Sequence, residues 1–154
     1  MSPEHHRTPE QETAIRDWLR DHDLTGFVWV TLSLKQYCDG KRTDWISASE
    51  SFRLFMCRLN QQLLQNQYRK GRLRLRVVPF IETKHGNLHY HCAIENPLFS
   101  GIPFQHRLFY CWRKSPLGNI NNHAVPTADT GWIDYCLKHQ KGNLNIVDWN
   151  NLYL

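Results

Sequence analysis

Apolar and polar positions alternate along three stretches of the chain, and the alternation sorts their side chains onto two faces. From Leu73 to Glu82, one parity holds Leu73, Leu75, Val77 and Ile81, and the other holds Arg72, Arg74, Arg76, Phe80 and Glu82. From Leu88 to Glu95, Leu88, Tyr90, Cys92 and Ile94 oppose His89, His91, Ala93 and Glu95 in the same way. The run from Phe27 to Leu34 sets Val28, Val30, Leu32 and Leu34 against Phe27, Trp29, Thr31 and Ser33. A period of two is the signature of strands that bury one face. Between them the period lengthens. Phe52, Phe55, Met56, Leu59, Leu63 and Leu64 recur at helical spacing after a capping-box pair, Ser47 and Glu50, and that helix is expected to end near Lys70 and Gly71. Thr8, Pro9, Glu10 and Glu12 open a first helix reaching about His22. Pro103–Lys114 reads as a third helix, Asn119–Val125 as a short strand, Asp129–Gln140 as a fourth helix closed by Gly142, and Leu144–Val147 as a last strand.

The resulting order, β-α-β-β-α-β with flanking helices, predicts an α+β domain with a ferredoxin-like antiparallel sheet. Helices are expected on one face, and the other is left open for a site. The segment Thr83–Leu88 carries turn residues between two apolar runs and predicts a β-hairpin. A loop of two or four residues places Glu82 on the same side as His89 and His91; an odd loop sends it to the other side. Side chains at i and i+2 of a strand point the same way, roughly 7 Å apart at about 3.3 Å per residue. His89 and His91 are therefore able to converge on one cation. Two imidazoles and a carboxylate suit Mn²⁺ or Mg²⁺ in a working site and are chemically acceptable to Zn²⁺.

The chain has 154 residues, read as one domain, 1–154, with residues 1–7 as a flexible polar leader. Its 19 Lys and Arg against 14 Asp and Glu give a net charge of +5, which favours a polyanionic partner. Arg72, Arg74 and Arg76 beside Trp29 and Phe80 combine charge for phosphates with flat rings for unstacked bases; the alternative is a solvated strand face with Trp29 buried as an anchor under the fourth helix. Five cysteines without a C-x-x-C pair read as reduced thiols. The absence of a signal peptide or long apolar run points to a soluble intracellular protein, cytoplasmic in a bacterium or nuclear for a eukaryotic virus, without membrane attachment. No phosphate-binding loop of the Walker type is present, so a helicase motor is not part of these residues.

Further along, Trp132–Lys138 places Tyr135 and Lys138 on one helical face at i, i+3. Glu82, the His89-Tyr90-His91 triplet and Tyr135-x-x-Lys138, in that order, resemble the HUH endonuclease superfamily, and within it the nuclease domains of rolling-circle replication initiators. The resemblance spans roughly Phe27–Lys138. It implies that Glu82, His89 and His91 hold a divalent metal ion, that Tyr135 is the nucleophile, and that Lys138 assists. It also implies nicking and rejoining of single-stranded DNA at an origin hairpin or element end, through a covalent 5′-phosphotyrosine. The presence of one tyrosine, with His139 where a second would fall, implies the single-tyrosine type. Such initiators often work with a helicase, either as a further domain or from the host. A transposase of the HUH type shares the chemistry. A relaxase fits less well, because it usually has a third histidine where this chain has Glu82, and its tyrosine precedes the H-x-H triplet. A reading from a different class is a non-catalytic, RRM-like single-stranded nucleic-acid-binding module, which needs Trp29, Phe80 and the arginines but not Tyr135. A structural Zn²⁺ site needs a fourth ligand such as Cys92 or His85, and Cys92 faces the other side of its strand.

Overall fold

Strand pairing decides the architecture. In the computed structural model, which describes residues 9–98, 101–125, 131–137 and 143–154, β1 (Phe27–Ser33) lies beside β5 (Asn87–Glu95), which is joined to β4 (Val77–Lys84) by a tight turn. That turn is His85-Gly86, with φ of 49° and 79°. Both central residues are left-handed, the backbone of a two-residue turn that matches strand twist, and glycine takes it without a side-chain clash. The even loop length keeps the parity, so Glu82 stands directly opposite His89. Pro79 introduces no slip, since the register runs unbroken from Val77↔Ile94 to Lys84↔Asn87. β6 (His123–Val125) and β7 (Asn143–Val147) close the edges, giving an antiparallel five-stranded sheet ordered β6-β1-β5-β4-β7. A small ribbon of β2 (Tyr37–Cys38) and β3 (Lys41–Arg42) stands apart.

Helices α1 (Pro9–Arg20), α2 (Trp45–Arg69), α3 (Gly101–Arg113) and α4 (Gly131–Leu137) complete an α+β fold. α2 and α3 bury Phe52, Phe55, Met56, Leu59, Phe104, Leu108 and Trp112 against Val28, Val30, Leu32, Val77, Ile81, Tyr90 and Ile94. The expectation that helices cover a single face is corrected. On the opposite face Leu19 of α1 and Ile133, Cys136 and Leu137 of α4 pack on Phe27, Trp29, Val78, Phe80 and Ala93. Apolar side chains at both parities of β1 and β4 require cover on both sides. The C-terminal segment is fastened by a buried polar cluster: Asp148 accepts hydrogen bonds from Tyr90 Oη (2.6 Å), Ser49 Oγ (3.0 Å) and Asn151 Nδ2 (2.7 Å).

Two local expectations also change. Helix α2 is capped by Asp44, whose carboxylate accepts from the Ser47 amide at 2.7 Å, and not by Ser47 with Glu50. Glu50 instead pairs with Arg53 at 2.6 Å. The strand expected from Leu73 begins at Val77, because its partner β5 ends at Glu95, whose amide makes the last bond to that side, to the Arg76 carbonyl. Residues 72–75 thus have no strand to pair with, and the Leu75 amide is taken by the Asn60 side chain at 2.7 Å. All five cysteines are free thiols, Cys92, Cys111 and Cys136 being buried. No helix among the described residues is long and apolar enough to cross a membrane. The polar leader, the Thr8 cap, the start of the fourth helix at Asp129 and its end at Gln140 and Gly142 lie outside the described residues.

Candidate active site

Strand alternation delivers His89 and His91 to one face of β5, and the hairpin register brings Glu82 across from β4 on the same side. Glu82 Oε2 lies 2.6 Å from His91 Nε2, a diagonal contact between two nearly buried side chains, 7% and 6% exposed. The other nitrogen of the same ring, Nδ1, is 3.0 Å from Thr31 Oγ1, which β1 places directly opposite. With both nitrogens engaged, the ring is fixed in plane and direction.

The hydrogen bond from His91 holds the Glu82 carboxyl below its ordinary range, outweighing the opposite effect of burial. At His89, burial holds the imidazole below its ordinary value and exceeds the upward pull of the Glu82 carboxylate. A carboxylate kept ionised beside an imidazole kept neutral is the protonation pattern that divalent-cation ligands require. His89 Nδ1 is buried and has no hydrogen-bond partner among the described residues. Among those residues no group of three or more His, Cys, Asp or Glu side chains is already arranged to hold a metal ion. Glu82 and His91 are bonded to each other, and ligation has to replace that contact. The donor set fits a divalent ion in kind and protonation.

Helix α4 crosses this face. Trp132 lies tilted at 38° over Trp29 with ring centroids 3.6 Å apart and meets Phe80 edge-on at 5.9 Å. One helical turn on, the Tyr135 ring stands perpendicular to that of His91, at 88° and 5.8 Å between centroids. Tyr135 is half exposed, so its hydroxyl is within reach of a ligand in solvent. Burial, followed by the negative charge of Glu82, raises its phenol above the ordinary value. On the outer side of α4, Asp134 pairs with Arg16 at 2.8 Å and Arg20 at 3.0 Å, tying α4 to α1.

Glu82, His89, His91 and Tyr135, singled out in the sequence, are therefore brought together. Lys138 lies outside the described residues. The expected base-stacking face is corrected: Trp29 and Phe80 are 2% and 0% exposed, sealed beneath Trp132. The three arginines do not share a strand face either. Arg76 is paired with Glu95 at 3.2 Å and lies over the Phe27 ring, Arg74 lies over the Tyr153 ring at 4.8 Å, and Arg72 is exposed beyond the end of α2. Two residues with a part in the site had no role assigned from sequence. Thr31 was legible as a polar side chain on the histidine face, and Trp132 as the residue one turn before Tyr135.

Compared with known proteins, the chain matches no family model, no curated protein and no solved structure.

Proposed function

We propose that this protein is a metal-dependent, single-tyrosine endonuclease of the HUH type that nicks and rejoins single-stranded DNA, the reaction that initiates rolling-circle replication. The observation that carries the reading is the approach of Tyr135 to within 5.8 Å, ring to ring, of a histidine bonded to Glu82 on the face that also holds His89. The topology supports it. Numbered without the ribbon and β7, the remaining four strands lie in the order 4-1-3-2, with α2 and α3 each joining two parallel strands across an antiparallel one, an order compatible with a ferredoxin-like fold.

Glu82, His89 and His91 would hold the divalent ion, and Thr31 would keep the His91 ring directed toward it. When bound, Mn²⁺ or Mg²⁺ supplies positive charge against the non-bridging oxygens of the scissile phosphate. The Tyr135 hydroxyl loses its proton and its oxygen attacks phosphorus; the P–O3′ bond breaks, leaving a 5′-phosphotyrosine and a 3′-oxyanion that takes up one proton to become the free 3′-hydroxyl. Reversal by a 3′-hydroxyl rejoins the strand with no external energy source. Lys138, one turn beyond Tyr135 in sequence, is assigned to the developing negative charge. The burial of Trp29 and Phe80 leaves a non-catalytic stacking module without its platform, and this favours the catalytic reading.

Cleavage of labelled single-stranded oligonucleotides in Mn²⁺ tests the proposal. Products are expected from the parent protein and from neither Tyr135→Phe nor His91→Ala. Cleavage that survives in Tyr135→Phe contradicts it.

A further inference from the structure

The outer surface of α2 and α3 lies across the sheet from Tyr135 and has no part in the site above. Its charge is one-sided. The sequence holds no Asp or Glu between Ser51 and Ile81, nor between Asn96 and Ala128. Arg58, Gln61, Gln62 and Arg69 of α2, Tyr110 of α3 and Lys114 in the turn that follows α3 line a groove of about 460 Å³. Arg58 Nη1 is buried beneath the surface without a hydrogen-bond partner among the described residues. Arg58 and Arg107 both act on the nearby Cys111 thiol, opposing the burial that pushes it up to about 11. Cations gathered without counter-charges repel one another, and a guanidinium nitrogen kept from water without an acceptor is costly. The repulsion is relieved by an anion seated in the groove.

The composition of the groove narrows the choice of anion. Cations and amide side chains read phosphate oxygens, and the one aromatic ring among the lining residues, Tyr110, has the Lys114 ammonium 5.7 Å from its centroid. Single strands are usually held by successive open aromatic rings, and among its lining residues this groove has one, Tyr110. We propose that the groove formed by Arg58, Arg69 and Lys114 is a second nucleic-acid contact, one that grips the sugar-phosphate backbone of duplex DNA independently of the tyrosine site. A chain that meets a hairpin or a duplex flank is thereby able to hold its paired portion on one face and its unpaired strand on the other.

The test is fluorescence anisotropy of a labelled 20-base-pair duplex across a salt series. Arg58→Gln/Arg69→Gln/Lys114→Gln is expected to weaken binding about tenfold or more at low salt. It should also make the slope of log K against log [salt] shallower by about 2–3, since each phosphate contact contributes about 0.9. Arg58→Lys/Arg69→Lys/Lys114→Arg, which keeps the charge, is expected to retain affinity, and Tyr135→Phe is expected to bind the duplex as the parent does. That last arm separates this proposal from the nicking reading, because loss of cleavage leaves duplex binding untouched. An unchanged slope in the glutamine variant, with its far-UV circular dichroism intact, overturns the proposal. So does equal loss in the charge-retaining variant, which would mean packing. Dependence on these residues for binding phosphatidylserine vesicles but not the duplex would mean a membrane surface, and also overturns it.

Discussion

Helix α4 carries the proposed nucleophile, and its seven described residues are too few to be helical alone. Its position depends on what it buries, and Trp132 is the side chain to remove. In Trp132→Ala the indole lying over Trp29 at 3.6 Å and edge-on to Phe80 at 5.9 Å is lost, together with its 6.4 Å contact with His91. Truncating a fully buried Trp costs about 3–5 kcal/mol, and each good aromatic pair contributes about 0.5–1.5 kcal/mol of such a loss. Because Trp132 is only half-buried, the expected cost is about 2–3 kcal/mol. For a chain of this size that corresponds to a fall in Tm of about 5–10 °C. Thermal unfolding followed at 222 nm reads the global effect, and amide hydrogen exchange of residues 131–137 reads the local one. Exchange should accelerate there first, and cleavage should fall roughly a hundredfold, because an ångström of misplacement at a nucleophile has that effect. Trp132→Phe should recover most of both. A Tm within about 1 °C of the parent, or a lower Tm with exchange in α4 unchanged, would refute the reasoning.

Acid should destabilise the metal-free protein in two stages. The folded-state values of His89 and Glu82 both lie below their ordinary values of 6.5 and 4.5, so the unfolded chain binds more protons, and stability, full above pH 6.5, falls as pH drops through each window in turn; urea melts at pH 7.5, 5.5 and 4 check this, and constant stability down to pH 4 would contradict it. Thr31→Val removes the partner of His91 Nδ1 and should weaken Mn²⁺ binding about 10- to 100-fold by calorimetry with little change in Tm. Unaltered affinity would leave Thr31 with no positioning role. Asp134→Asn, which cuts α4 from Arg16 and Arg20 at a half-exposed site, should cost only about 0.2–1 kcal/mol, and the difference should vanish in 1 M NaCl. A large loss that persists in salt would mean that this ion pair is part of the core and not a surface tie.

The face assignments of β1, β4 and β5 were legible in the sequence because a period of two leaves each side chain one choice, and the even His85-Gly86 turn preserved it. His89 and His91 followed from that parity alone, and Glu82 joined them because the loop is even. The open platform did not follow. Trp29 and Phe80 lie on the parity of the histidines, but alternation tells which side a ring points to and not whether another element covers it, and α4 does. The arginine row failed for a related reason: residues 72–75 continue the alternation past the point where β5 ends, so pattern outran pairing. The hydrogen bond between Thr31 and His91 joins residues sixty positions apart, and only the β1–β5 register makes them neighbours.

The central claim is a covalent bond between Tyr135 and DNA. Incubating the protein with a pool of single-stranded oligonucleotides and Mn²⁺, then digesting and sequencing peptides by tandem mass spectrometry, tests it most directly. The account predicts a nucleotide phosphate on Tyr135 that needs the metal ion and is lost in Tyr135→Phe. Cleaved DNA with Tyr135 unmodified, or an adduct on another side chain, would contradict it.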